Sequence, residues 1–227
     1  MTTQEKLAVA AGKAAARTIR LFGAGLGSNL PGRLARKVSP QILSGLAKQA
    51  SRGVIAVTGT NGKSTTAGLL SSILRTAGFK LIHNRQGANL VTGITATLVD
   101  AATWSGEINA DYCLFEIDEA ALPVVASEVN LSSIVVTNLF RDQLDRFGEL
   151  DTTARLIEKG IALNHSTAVL NADDPNVSQL CPNEQRYYFG IESRNETGDK
   201  TTNMEENGSG EDPPACAGEE QTMELSY

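Results

Sequence analysis

The segment Val54-Ile-Ala-Val-Thr-Gly-Thr-Asn-Gly-Lys-Ser-Thr-Thr66 combines the residue types that hold a phosphate. Gly59 and Gly62 let the backbone curl so that several N–H groups face one anion, and a helix starting behind them adds its positive end. Lys63 is spaced to reach the β- and γ-phosphates of a nucleoside triphosphate, and the Ser64 hydroxyl suits Mg²⁺. The loop is a short form of the P-loop, since the usual Gly-x-x-x-x-Gly-Lys spacing would want glycine where Val57 stands. A chance Gly-Lys-Ser turn is the alternative, disfavoured by the apolar run before the loop and the helical pattern after it. The expected nucleotide-binding residues here are Gly59, Thr60, Asn61, Gly62, Lys63, Ser64 and Thr65.

Three polar clusters follow other apolar runs. Tyr112-Cys-Leu-Phe-Glu-Ile-Asp-Glu119 puts Glu116 at the end of a buried strand, where a carboxylate can hold Mg²⁺ opposite the loop hydroxyl. Asp118 and Glu119 lie just past it, and Glu119 suits a solvated loop acid better than a ligand. Thr137-Asn-Leu-Phe-Arg-Asp-Gln-Leu-Asp-Arg-Phe-Gly-Glu149 packs Asn138, Arg141, Asp142, Gln143, Asp145 and Arg146 into a short span, as a site or as a helical ion-pair run. In Leu170-Asn-Ala-Asp-Asp-Pro175, Asn171 and Asp174 read either as contacts to a nucleobase or ribose edge or as an Asp-Pro turn.

These clusters need a common scaffold. Runs at 54–58, 80–83, 112–117, 134–137, 168–170 and 187–189 are apolar and rich in β-branched residues, and segments of crossover length separate them. Continuous apolar runs mark strands buried on both faces, so the pattern predicts an α/β fold with a mostly parallel, doubly wound sheet. In such a sheet the strand ends converge on one crevice. The expected organisation is a basic helical segment over 1–52, a nucleotide-binding domain over 53–192 and an acidic, disordered tail over 193–227. The tail is polar and turn-rich, too poor in apolar surface to offset its ordering entropy.

The N-terminal segment repeats Leu7, Ala11, Ala14, Thr18 and Leu21 at helical spacing, with Lys6, Lys13, Arg17 and Arg20 along another face. Its basic face is either solvated on a helix packed against the main domain or attracted to anionic lipid headgroups. Gly23, Gly25 and Gly27, then Pro31-Gly32, predict a loop, and Ser39-Pro40 predicts the start of a second short helix.

The composition excludes several classes. The 227 residues carry a net charge of −6, which argues against nucleic acid as the main partner. Cys113, Cys181 and Cys216 are too few and too widely spaced for a disulfide framework, which fits a reducing, cytoplasmic compartment. No apolar run approaches the roughly 20 residues of a membrane span. The N-terminus has no apolar stretch of the kind a signal peptide requires, since Lys13, Arg17 and Arg20 interrupt it.

At Gly59-Thr-Asn-Gly-Lys-Ser-Thr65 the chain resembles the Mur ligase superfamily, which also includes folylpolyglutamate synthases. Leu30-Pro-Gly-Arg-Leu-Ala-Arg-Lys37, His83-Asn-Arg-Gln-Gly-Ala-Asn89, Glu116-Ile-Asp-Glu119 and the 138–149 and 170–175 segments resemble the MurT-type subunits of lipid II isoglutaminyl synthase. The Arg-Asp-Gln-Leu-Asp-Arg run discriminates, because related amino-acid ligases usually show Asp-His-Leu-Asp there. The resemblance implies an ATP-dependent carbon–nitrogen ligase of peptidoglycan synthesis that amidates the D-glutamate α-carboxyl of lipid II through an acyl phosphate. Ammonia would come from a GatD-type glutaminase partner. It further implies ATP on the phosphate loop with Asn171 at the adenine, Mg²⁺ on Ser64 and Glu116, and Asn84, Asn89, Asn138, Arg141 and Arg146 on the substrate side. Peripheral contact with the inner face of the membrane is expected only from the basic N-terminal helix, as the alternative to a solvated face, and not from the resemblance.

Two departures from the family pattern stand out. Cys216-Ala-Gly-Glu219 has glutamate where a zinc ribbon needs a second cysteine, so no zinc site is expected. The family's C-terminal domain, with its catalytic aspartate, has no counterpart in the 227 residues. This chain alone is therefore expected to bind nucleotide without completing the amidation. Another Mur-type amino-acid ligase and a non-catalytic nucleotide-binding fragment are the alternatives.

Overall fold

The apolar runs of the sequence form strands of one parallel sheet in a computed structural model that describes residues 1–21, 29–84, 87–140, 149–191 and 221–222. The strands are β1 (Gly53–Thr58), β2 (Leu81–His83), β3 (Tyr112–Glu116), β4 (Ser133–Val136), β5 (Thr167–Asn171), β6 (Arg186–Phe189) and the two-residue β7 (Gln221–Thr222). Their order is β2-β3-β1-β4-β5-β6-β7, and every pairing is parallel. Because β1 lies between β3 and β4, the chain leaves it toward one side and later returns to the other. That reversal opens a crevice at the carboxyl end of β1.

The strand residues alternate between two layers. On one face Val54, Ala56, Cys113, Phe115, Ile134, Val136, Ala168 and Leu170 join a large core with α5 (Val91–Ala101), α6 (Leu122–Glu128) and α7 (Glu149–Ala162). On the other, Val57, Leu114 and Val135 pack with Ala67 of α4 (Lys63–Thr76). Burial on both faces explains why these strands read as unbroken apolar runs. Among the described residues no helix is long and apolar enough to cross a membrane.

The N-terminal helices extend the larger core. These are α1 (Thr3–Leu21), α2 (Leu30–Val38) and α3 (Ile42–Ala47), whose Ala8, Val9, Ala35, Ile42, Leu43 and Leu46 belong to the same buried cluster as Phe115. The loop expected at Pro31-Gly32 is instead the first turn of α2, where proline has no N–H to lose and a preset φ. Gly32 then allows α2 to cross α5 in backbone contact, because a Cβ there would collide with Thr92 O and come within 2.9 Å of Ala96 N. The short helix expected from Ser39-Pro40 is α3, which starts at Ile42 behind Gln41, and Ser39 serves instead as the C-cap of α2, its N–H donating to Ala35 O at 2.9 Å. Arg36 of α2 clamps Glu128 of α6 through two hydrogen bonds of 2.6 and 2.7 Å.

The tail expected over 193–227 lies outside the described residues, apart from Gln221 and Thr222, which pair parallel with Tyr187 and Tyr188 of β6. Cys216 and the zinc question lie outside them as well.

Candidate functional site

The phosphate loop runs from the end of β1 into α4. Gly59 has φ +121°, and a Cβ there would collide with Thr137 Oγ1 and come within 2.8 Å of Asn138 O. Gly62 caps α4 with φ +80° in the left-handed region. Both glycines are required by the backbone path. The next residues, Lys63, Ser64 and Thr65, open α4, so their N–H groups have no carbonyl one turn back. They form the cradle in which an anion fits.

Thr137 and Asn138, just beyond β4, brace this loop. Asn138 Oδ1 accepts from Asn61 N at 2.9 Å, its Nδ2 donates to Asn61 O at 3.0 Å, and its backbone O accepts from Thr60 N at 2.9 Å. Thr137 Oγ1 donates to Asn61 O at 2.7 Å. Phe140 N donates to Thr60 Oγ1 at 3.3 Å. Asn138, expected on the substrate side, therefore holds the phosphate loop in shape.

A hydrogen bond and an ion pair run from the start of α4 to the end of β3 and the loop just past it. Ser64 Oγ donates to Glu116 Oε2 at 2.8 Å, which brings together the hydroxyl and carboxylate expected to share Mg²⁺. Two hard oxygen donors, with Glu116 itself buried, fit such an ion. Among the described residues there is no cluster of three or more His, Cys, Asp or Glu that would hold a metal by protein ligands alone. Mg²⁺ commonly takes one or two protein oxygens and completes its shell with water and phosphate, so the pair is sufficient. Lys63 Nζ donates to Gly59 O at 2.5 Å, to Thr60 O at 3.2 Å and to Glu119 Oε1 at 2.9 Å. Glu119 is thus the counter-ion of the loop lysine and no solvated acid.

Several expected residues turn out to be scaffold. Asn84 is 2% exposed; its Nδ2 donates to Ala88 O and Glu116 O, both at 2.8 Å, and its Oδ1 accepts from Glu116 N at 2.8 Å. It fixes Glu116 from below, with both amide hydrogens spent on backbone carbonyls. Asp174 is buried: one carboxylate oxygen caps α8 (Pro175–Ser178) by accepting from Asn176 N and Val177 N, and the other accepts from Leu139 N at 2.8 Å. The Asp-Pro turn is the reading the structure realises. Asn171 donates from Nδ2 to Thr137 O at 2.9 Å and accepts at Oδ1 from Asp173 N at 2.9 Å, at the rim of the same crevice. Asn89 is half-buried beside Asp118, whose N–H donates to Asn89 O at 3.1 Å. Arg141 and Arg146 lie outside the described residues, as do Asp142, Gln143 and Asp145.

Two titratable groups complete the surroundings. His83, at the end of β2, is held below the usual histidine value by burial and by the charge of Arg75, with Glu116 pulling the other way. Burial pushes the Cys113 and Cys181 thiols up to about 12, so neither is a nucleophile at neutral pH.

Comparison with known proteins places this geometry in context. Residues 57–224 match the Mur ligase middle domain family. The MurT subunit of lipid II isoglutaminyl synthase (glutamine-hydrolyzing) from Staphylococcus aureus is 40% identical over 168 residues, 74% of this chain and 37% of that protein. Its counterpart from Streptococcus pneumoniae is 38% identical over 169 residues, with the same coverage of 74% and 37%. The chain thus spans only 37% of the length of these curated relatives. Among solved structures, MurF from Acinetobacter baumannii superposes with a TM-score of 0.57 at 21% identity, over 73% of this chain and 36% of that one. MurF ligase from Thermotoga maritima, solved with ADP, gives 0.55 at 18% identity over 70% and 37% of the two chains. At those identities the likeness is one of fold.

Proposed function

The chain belongs to the Mur ligase middle domain family, and from that premise we propose that it carries the nucleotide site of an ATP-dependent carbon–nitrogen ligase. The carrying observation is the pairing of a glycine-built phosphate loop with the Ser64–Glu116 contact of 2.8 Å. The N–H groups that open α4 hold the β- and γ-phosphates, with Lys63 turning toward them. Ser64 and Glu116 hold Mg²⁺, which when bound neutralises charge developing on the transferred phosphoryl group. Asn171 and Asn89 flank the crevice on opposite sides, toward the base and the acceptor respectively.

The acceptor proposed is the D-glutamate α-carboxyl of lipid II, supported by relatives of 40% and 38% identity whose names describe that synthase. A carboxylate is a poor acyl donor. Transfer of the γ-phosphoryl group to a carboxylate oxygen, with ADP leaving, makes an acyl phosphate. Ammonia then attacks the acyl carbon, the amide forms and phosphate departs. The ammonia is proposed to come from a GatD-type glutaminase, since the described thiols, Cys113 and Cys181, are buried and protonated. The C-terminal portion of the longer relatives would supply the rest of the catalytic centre.

Titration of the chain with Mg·ATP and with its Lys63→Ala variant tests the nucleotide site. Loss of at least tenfold in affinity is expected on removing the ammonium. Equal binding by both would refute the phosphate-loop assignment. For the reaction, the full-length protein with a glutaminase and glutamine should convert the lipid II acid to its amide, read by mass. Incorporation of an amino acid instead would favour a Mur-type amino-acid ligase.

A further inference from the structure

The side of α1 turned away from the molecule carries an apolar stripe. Ala8, Val9 and Gly12 face inward, and a Cβ on Gly12 would lie 2.8 Å from Val99 Cγ1 and 3.3 Å from Ala35 Cβ. The stripe of Leu7, Ala14, Thr18 and Leu21 is left outside, with Leu7 63% and Leu21 85% exposed. The exposed Lys6 and Arg17 run along its flank, with the half-buried Lys13 between them, its Nζ donating to Asp100 O at 3.0 Å. Trp104, the chain's one tryptophan, is 50% exposed there, with the Arg17 guanidinium 4.9 Å and the Lys13 ammonium 5.9 Å from its ring centre. On the adjoining α2, the exposed residues Leu30, Arg33, Leu34 and Lys37 repeat the same mixture.

Charge is segregated onto this part of the molecule. Residues 1–52 hold nine bases and one acid, whereas the other residues hold eleven bases and twenty-five acids. We propose that the outer face of α1, with Trp104 and α2 beside it, docks on an anionic lipid bilayer. Single leucines spaced among lysines and arginines fit the boundary between headgroups and acyl chains, where each apolar side chain inserts separately and each cation meets a phosphate. An indole with cations stacked on it belongs at that depth. The same dispersal of charge disfavours a second copy of this chain, whose α1 would present cations to cations. The proposal goes beyond the ligase reading and stands without it.

Co-sedimentation with vesicles tests it: one set half phosphatidylglycerol and half phosphatidylcholine, the other phosphatidylcholine alone. The chain should pellet with the first set only, and release as salt shortens the screening length from about 8 Å to about 3 Å. Each cation is worth about fivefold in partition, so Lys6→Gln with Arg17→Gln should lower binding more than tenfold. Leu7→Ser with Leu21→Ser should do likewise. Leu69→Ser with Ile73→Ser, 62% and 63% exposed on α4, should leave it unchanged. Far-UV circular dichroism establishes that each variant is folded. No pelleting by the folded wild-type chain overturns the proposal, as does pelleting indifferent to the α1 substitutions. Dimerisation lost in Leu7→Ser with Leu21→Ser, without vesicle binding, would assign the stripe to a second copy and also overturn it. Vesicle binding by a chain that fails to bind Mg·ATP would sink the ligase reading alone.

Discussion

At the scale of single residues, the loop lysine is already engaged. The three protons of Lys63 Nζ meet three oxygens, two of them backbone and one from Glu119. A phosphate therefore binds by exchange against a carboxylate at 2.9 Å in a contact mostly shielded from water. Replacing Glu119 with Gln weakens the competitor and removes a negative charge near the anion. ATP affinity in the absence of metal is expected to rise about fivefold, the scale of one partly shielded ion pair. Isothermal titration with and without Mg²⁺ reads this directly; a fall of similar size seen only with Mg²⁺ present would instead make Glu119 a metal ligand. His83 carries a pH signature of its own. Its folded value lies below 6.5 because burial and Arg75 disfavour the cation. Above that pH both states are neutral and nothing changes. Below it the unfolded chain takes its proton first, so stability falls as pH drops from 6.5 toward the lowered folded value. His83→Gln should flatten that segment of a urea-denaturation series. Residue types at this site were legible in the sequence, but their partners were not. That Asn84 turns under Glu116 and Asn138 onto the phosphate loop depends on contacts 32 and 77 residues away, which spacing along the chain does not encode.

The elements show where local signals carried and where they misled. All of the strands from β1 to β6 stand where apolar runs predict them; burial on both faces leaves a plain mark in β1, β3 and β4, whereas β2 and β6 are only half-buried. The N-terminal helices left a weaker mark. In α1 the packed positions are Ala8, Val9 and Gly12, small residues that contribute little to a hydrophobic pattern yet allow close approach, so the larger Leu7 and Leu21 drew attention to the wrong face. In α2, Pro31-Gly32 has the form of a break, but proline begins the helix and glycine lets it cross α5. Two helical glycines should accordingly respond in opposite directions to alanine. Gly32→Ala forces a Cβ into the backbone of α5 and should cost about 1–3 kcal/mol, as overpacking does. Gly68, in α4, has nothing within 4 Å of an added Cβ. There alanine should stabilise by about 0.5–1 kcal/mol through helix propensity. Urea midpoints at constant slope measure both. A loss at Gly68 would mean that α4 is packed more tightly than its open face indicates.

At the scale of the whole molecule, charge divides the chain but the core does not. The basic segment over 1–52 and the acidic domain after it have opposite signs, a contrast that suggests two bodies. The buried residues contradict that division. Ile42, Leu43 and Leu46 of α3, Ala35 of α2 and Val9 of α1 share one cluster with Ile94, Leu98 and Phe115, and the Arg36–Glu128 clamp ties α2 to a helix packed on the sheet. Helices that complete a core do not unfold independently of it, since their departure would expose the apolar face of α5 to water. Trp104 makes the point measurable. It is the chain's one tryptophan, and its ring lies against Lys13 and Arg17 of α1, so its fluorescence follows the N-terminal helices. Far-UV circular dichroism follows all of the helices together. Both signals should therefore lose half their native amplitude at the same urea concentration, with equal slopes. A tryptophan transition at clearly lower urea would show α1 to α3 peeling away first, leaving the phosphate loop on a sheet able to stand without them. Mg·ATP should then shift only the later transition, because a ligand stabilises only the unit that binds it. If there is one transition, nucleotide at the end of β1 raises the midpoint reported by a tryptophan packed against α1, which ties the basic N-terminal face to the nucleotide site through the shared core.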